Sequence, residues 1–154
     1  MMFQQIDREA LLACCGSRAW VDGLTKRLPS AGTATLQKAA EEVWWSLTES
    51  DWLEAFAAHP KIGEKQVSAK WSAAEQSGMA QASEQTAAAV ARMNEEYERK
   101  FGWIFIVCAT GKSGEEMRDI LERRLRNSRE AELALAAAEQ MKITNLRLAK
   151  LVAE

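Results

Sequence analysis

The stretch SEQTAAAVARMNEEYERKFGWIFIVCA, residues 83 to 109, decides the fold. From about Ser83 to Lys100 it reads as a helix, with Val90, Met93, Tyr97 and Phe101 at helical spacing. The residues between them are mostly good helix formers. Gly102 ends that helix. Trp103 to Ala109 is then wholly apolar and rich in β-branched and aromatic side chains, the composition of a buried strand. No second segment of this kind is evident to pair with it. It is therefore read as an extended core segment in an all-α protein.

Outward from this stretch the pattern is helical. Asp7 is placed to cap a helix through about Cys15, closed by Gly16. Ser17 can start a second helix that reaches about Arg27 and stops before Pro29. A third is expected from about Thr33 to Thr48, with Leu36, Ala40, Val43, Trp44 and Leu47 in its stripe. Ser50 is the expected cap of a short fourth helix bearing Leu53, Phe56 and Ala57. The polar stretch from Lys61 to Lys70 forms the longest connection. Ser72 with Glu75, and Ser113 with Glu116, have the spacing of capping boxes. The Ser113 helix is expected to run to about Asn127, and Ser128 to cap a last helix reaching Val152. That last stripe is Leu133, Ala137, Met141, Thr144, Leu148 and Leu151. The expectation is a single-domain bundle, residues 1 to 154, of about seven to nine helices.

At 154 residues the chain is long enough for one real core. No apolar run approaches the roughly 20 residues of a membrane span. Met-Met-Phe-Gln-Gln-Ile-Asp at the N-terminus lacks the basic and apolar regions of a secretory signal, and the C-terminus lacks a peroxisomal tripeptide. The three cysteines, Cys14, Cys15 and Cys108, form no Cys-x-x-Cys pair and are expected to be reduced and buried. A cytoplasmic protein fits these features. The formal net charge of −2 argues against general nucleic-acid binding. One basic cluster, Arg123-Arg124-Leu125-Arg126 with Arg129, is read as a solvated helix end.

Metal-binding templates, including His-Glu-x-x-His and the acidic calcium loop, are absent. Gly111-Lys112-Ser113 lacks the upstream glycine of a phosphate loop. What remains is His59, the single histidine, in Ala58-His59-Pro60-Lys61-Ile62-Gly63. Pro60 disfavours helical geometry at His59, which places the imidazole where a helix stops. It serves there either as a proton donor near neutral pH or as a cap for the last carbonyls. Ser72, Glu75 and Gln76 either form an ordinary helix start or surround a pocket for an anion. Arg147, between the apolar Ile143 and Leu151, either snorkels outward or binds a carboxylate or planar polar ligand.

These residues carry a resemblance. Ala58 to Gly63, Ser72-Ala73-Ala74-Glu75-Gln76-Ser77-Gly78-Met79, Met93 to Gly102, Phe105 to Ala109, Arg124-Leu125-Arg126-Asn127 and Leu146-Arg147-Leu148 stand in one order and spacing. Together they resemble the 2-oxo-4-hydroxy-4-carboxy-5-ureidoimidazoline (OHCU) decarboxylase family, which completes the conversion of urate to allantoin. The resemblance implies an all-helical decarboxylase without cofactor or metal, usually a homodimer. It implies His59 as the catalytic histidine and places Glu75 in the substrate-binding set with Ser72 and Gln76; on chemical grounds Glu75 is expected to hold the His59 imidazole. Pro60, Ser72, Gln76, Phe105, Ile106, Val107, Cys108, Ala109 and Arg147 would bind the substrate, and the product would be (S)-allantoin. Ile104 stands where members often have proline. A non-catalytic helical module, binding a partner or a purine-derived metabolite, is the alternative in another class. Six tryptophans, the pair Trp44-Trp45 among them, suit an interface as well as a core.

Overall fold

The structure is a computed structural model that describes residues 8–27, 33–59 and 82–153. Seven helices run in order through these residues: α1 Arg8–Cys14, α2 Arg18–Thr25, α3 Thr33–Trp45, α4 Glu49–Ala57, α5 Glu84–Phe101, α6 Gly114–Arg124 and α7 Arg129–Ala153. No strand occurs among the described residues, so the chain is all-α. The residues group into two compact units, Met1–Ala58 with Gln140–Glu154, and His59–Glu139. The long helix α7 gives its first part to the second unit and its remainder to the first.

In the first unit Ser17 caps α2 by accepting from the Trp20 amide at 3.2 Å. Leu11, Trp20, Val21, Leu24, Leu36, Ala40, Trp44, Ala55 and Phe56 are buried. The Trp20 indole donates to the Ala40 carbonyl at 3.1 Å, so the large ring is buried with its one polar atom satisfied. Helix α3 ends at Trp45, three residues earlier than expected, and Thr48 starts the next helix instead. The Thr48 hydroxyl accepts from the Asp51 amide, and the Asp51 carboxylate accepts from the Thr48 amide. This capping box displaces Ser50 from its expected capping role into the first turn of α4. Of the tryptophan pair, Trp44 is buried and Trp45 is 47 % exposed.

Two glycines hold this unit at close quarters. A Cβ on Gly16 would lie 2.5 Å from the Ala58 Cβ, and one on Gly23 would lie 2.7 Å from a Val43 methyl. Gly16 thus lets the α1–α2 connection pass against the end of α4, one residue before His59. Gly16→Ala is expected to cost about 1–3 kcal/mol through overpacking. Chemical denaturation would measure it, and an unchanged midpoint would contradict the tight approach.

The three cysteines are free and buried, as expected. Burial pushes the Cys15 thiol from an ordinary 9.0 up to about 12, with Thr144 and Arg147 partly opposing that rise. Above pH 9 the unfolded chain has released this proton while the folded chain still holds it. The folded state binds more protons, so stability falls as pH rises from 9 towards 12, by up to about 1.4 kcal/mol per unit for this group. Tyr97 in the second unit is raised in the same sense, first by burial. Alkaline denaturation should therefore set in above pH 9, and thiol reagents should reach Cys15 only in the unfolded chain. Rapid native labelling of Cys15 at pH 8 would contradict its burial.

In the second unit Ser83 caps α5 by accepting from the Thr86 amide at 3.1 Å. Gly102, at φ 92°, terminates that helix in the left-handed conformation that glycine adopts without penalty. The expected stripe of Val90, Met93, Tyr97 and Phe101 is buried. Ser113 and Glu116 form the expected capping box of α6. The Ser113 hydrogen bonds also lower the Glu116 pKa. Residues 104–109 belong to no helix and to no sheet among the described residues.

Candidate active site

The structure sets the predicted site residues in three places. His59 follows directly on Ala58, the C-terminal cap of α4, and is half-buried. This is the helix stop that Pro60 implied. Pro60, Ser72, Glu75 and Gln76 lie outside the described residues.

Phe105 to Ala109 are all buried, between 2 % and 7 % exposed. A buried segment outside helix and sheet must satisfy its peptide groups elsewhere. Side chains meet several of them here. The Arg124 guanidinium donates from Nη1 to the Ile106 carbonyl at 2.6 Å. The Cys108 amide donates to Glu139 Oε1 at 2.8 Å, and Lys112 Nζ donates to the Cys108 carbonyl at 2.8 Å. The Cys108 amide is thus engaged by a carboxylate of the chain itself, which narrows the set of amides in this segment that could face a ligand.

Arg124 overturns the reading of its cluster as a wholly solvated helix end. Arg123, Arg126 and Arg129 are exposed, but Arg124 is buried. Its Cζ lies 4.7 Å from the Phe105 ring centroid and 5.9 Å from that of Tyr97. Its Nε donates to Glu132, whose side chain is fully buried. The Glu132 carboxylate also accepts from the Tyr97 hydroxyl at 2.7 Å and the Asn127 side-chain amide at 3.0 Å. The Tyr97 oxygen in turn accepts from the Trp103 indole at 3.1 Å. Arg124 and Asn127 of the Arg-Leu-Arg-Asn motif therefore meet at one carboxylate. Burial of an ion pair is tolerated when its remaining valences are hydrogen-bonded, and here most are. Among the described residues Arg124 Nη2 alone of this group has no partner.

Arg147 is buried on the last part of α7, so it does not snorkel. Its Nη1 donates to the carbonyls of Ala13 at 3.1 Å and Cys14 at 3.4 Å. Those oxygens lie at the C-terminal end of α1, where helices leave acceptors unmatched and favour a cation. Nearby, Gln140 Nε2 donates to the Thr144 hydroxyl at 3.0 Å. Arg147 and the Phe105–Ala109 segment belong to different units.

Sequence reasoning missed Glu132 and Glu139 and misjudged Arg124. The available signal was a polar series on the final helix. Glu132, Gln140 and Thr144 recur at multiples of four residues with the fully buried Ala136, and all are buried. Polar side chains on a buried stripe must have partners.

The chain is all-α, with a histidine at a helix stop and a buried irregular segment pinned by charged side chains. The family model described as OHCU decarboxylase matches residues 2–149, and the chain belongs to that family. It is 38% identical over 164 residues to the uric acid degradation bifunctional protein TTL of Arabidopsis thaliana, covering 99% of this chain and 49% of the relative. It is 26% identical to the uric acid degradation bifunctional protein PucL of Bacillus subtilis, covering 97% of this chain and 32% of the relative. The chain thus spans half or less of the length of these curated relatives. A crystal structure of OHCU decarboxylase in the presence of (S)-allantoin is similar at a TM-score of 0.83 and 35% identity, over 96% of this chain and 99% of that one. A crystal structure of (S)-allantoin synthase shares the fold at a TM-score of 0.71 and 17% identity.

Proposed function

We propose that this chain catalyses decarboxylation of OHCU to (S)-allantoin without a cofactor, as a single catalytic domain. The observation that carries the reading is the similarity to an OHCU decarboxylase over nearly the full length of both chains. The single family match from residue 2 to 149 supports one such domain.

The substrate holds a carboxylate on a ring carbon next to a C=N bond. When the bond to the carboxylate breaks, carbon dioxide leaves and its electron pair forms a C=C bond with the neighbouring ring carbon. The imine pair moves onto the ring nitrogen, which takes up a proton. The resulting enol becomes a carbonyl as a proton lands on the ureido-bearing carbon. The ring is its own electron sink, which removes the need for the cofactor that usually fills that role. Orientation and proton delivery to one face are left to the protein.

In this reading His59 delivers the proton and Glu75 orients its imidazole. Ser72, Gln76, Pro60, the Phe105–Ala109 segment and Arg147 hold the ring, its carbonyls and its ureido arm. Support comes from the place of His59 just past the end of α4 and from the burial of Phe105 to Ala109. Arg147 Nη1 holds the α1 carbonyls, which fixes its guanidinium.

A homodimer and a cytoplasmic location belong to the same reading. No helix among the described residues is long and apolar enough to cross a membrane. Light scattering checks the first, with twice the 17.2 kDa chain mass expected and a monomer contradicting it. The test of the function is turnover of substrate generated in place by urate oxidation and hydrolysis. Its absorbance should decay faster with the protein than in buffer, and an unchanged decay would contradict the assignment.

A further inference from the structure

We propose that Arg124 and Glu139 are positioning residues that fix the main chain of Phe105–Ala109 in its substrate-binding shape. This rests on the reading that the segment lines the substrate site. Its peptide groups are held by charged side chains, with Arg124 and Glu139 at two of the points and Lys112 at the Cys108 carbonyl. Arg124 Nη1 donates to the Ile106 carbonyl, and Glu139 accepts from the Cys108 amide. The two anchors grip opposite kinds of group two residues apart, an oxygen and an N–H, and so oppose rotation of the peptide planes between them. A strand in a sheet would be fixed by its neighbours' backbones. This segment is no strand and lies in no sheet among the described residues.

The anchors are themselves immobilised. Arg124 is set by Glu132, which Tyr97 and Asn127 also address, and by the rings of Phe105 and Tyr97. Glu139 sits on α7 as the last residue of the second unit. Binding groups held to a fraction of an ångström separate productive from unproductive orientation, and such precision requires a supporting layer. The Arg-Leu-Arg-Asn motif thereby gains a role. Its arginine orders the segment, and its asparagine helps order the arginine's partner.

The test compares wild type with Glu139→Ala, Glu139→Gln and Arg124→Lys. Amide hydrogen exchange and steady-state kinetics are measured on the same samples, with rates normalised to the folded fraction. Because Arg124 is buried in an ion pair, Arg124→Lys can fail to fold, and the half-buried Glu139 then carries the test. Glu139→Ala should raise KM or lower kcat by roughly ten- to a hundredfold, the span of one hydrogen bond to a charged group. Exchange at Cys108 should rise while peptides of α1 to α4 keep wild-type protection. Glu139→Gln keeps an acceptor oxygen and should restore both quantities to within about twofold. A purely structural glutamate would lower the folded fraction and leave KM unmoved. Unchanged exchange, or faster exchange with unchanged KM and kcat, overturns the proposal. An inactive wild type sinks the decarboxylase assignment and this proposal together. An active wild type with indifferent variants sinks this proposal alone.

Discussion

His59→Asn is expected to lower the catalysed rate by roughly 10²–10⁴-fold, the range that one positioned general acid supplies. Asparagine keeps a polar side chain of similar reach but has no proton that titrates near neutral pH. The residue lies outside α4, beyond its cap at Ala58. Helix content and the unfolding midpoint should stay close to wild type while turnover falls. A variant with full activity would remove His59 from the chemistry.

The second large effect concerns stability. Glu132→Ala is expected to destabilise the protein by about 3–5 kcal/mol, because breaking a buried ion pair leaves its partner charged and alone. Arg124, Tyr97 and Asn127 all donate to this carboxylate, and three donors would lose their acceptor together. The thermal midpoint should drop on the order of 10 °C or more for a chain of this size. Glu132→Gln keeps the shape and an acceptor oxygen but loses the charge, and should fall between the two. A loss under about 1 kcal/mol for the alanine variant, typical of exposed pairs, would mean that the network is not buried in solution.

Both effects bear on how far the fold and site can be read from the chain. Helix starts were legible where a short polar side chain precedes an apolar stripe, as at Ser17, Ser83 and Ser113, because the cap is a local interaction. The burial of Phe105 to Ala109 was legible from its composition, and the lack of a partner segment correctly argued against a sheet. Thr48 was overlooked because an aspartate at the third position does the work more often associated with glutamate. Arg124 was misjudged for a different reason. Its burial depends on Glu132, eight residues on in the next helix, and charge in a cluster does not reveal which member turns inward. His59 was legible because proline constrains the residue before it. Ser72, Glu75 and Gln76 were singled out by their spacing alone and lie outside the described residues.

The functional assignment is tested most directly by the handedness of the product. Substrate prepared fresh from urate should be consumed faster in the presence of the protein, and circular dichroism of the allantoin formed should show the S enantiomer alone. Allantoin appearing at the uncatalysed rate, with no optical activity, would contradict it.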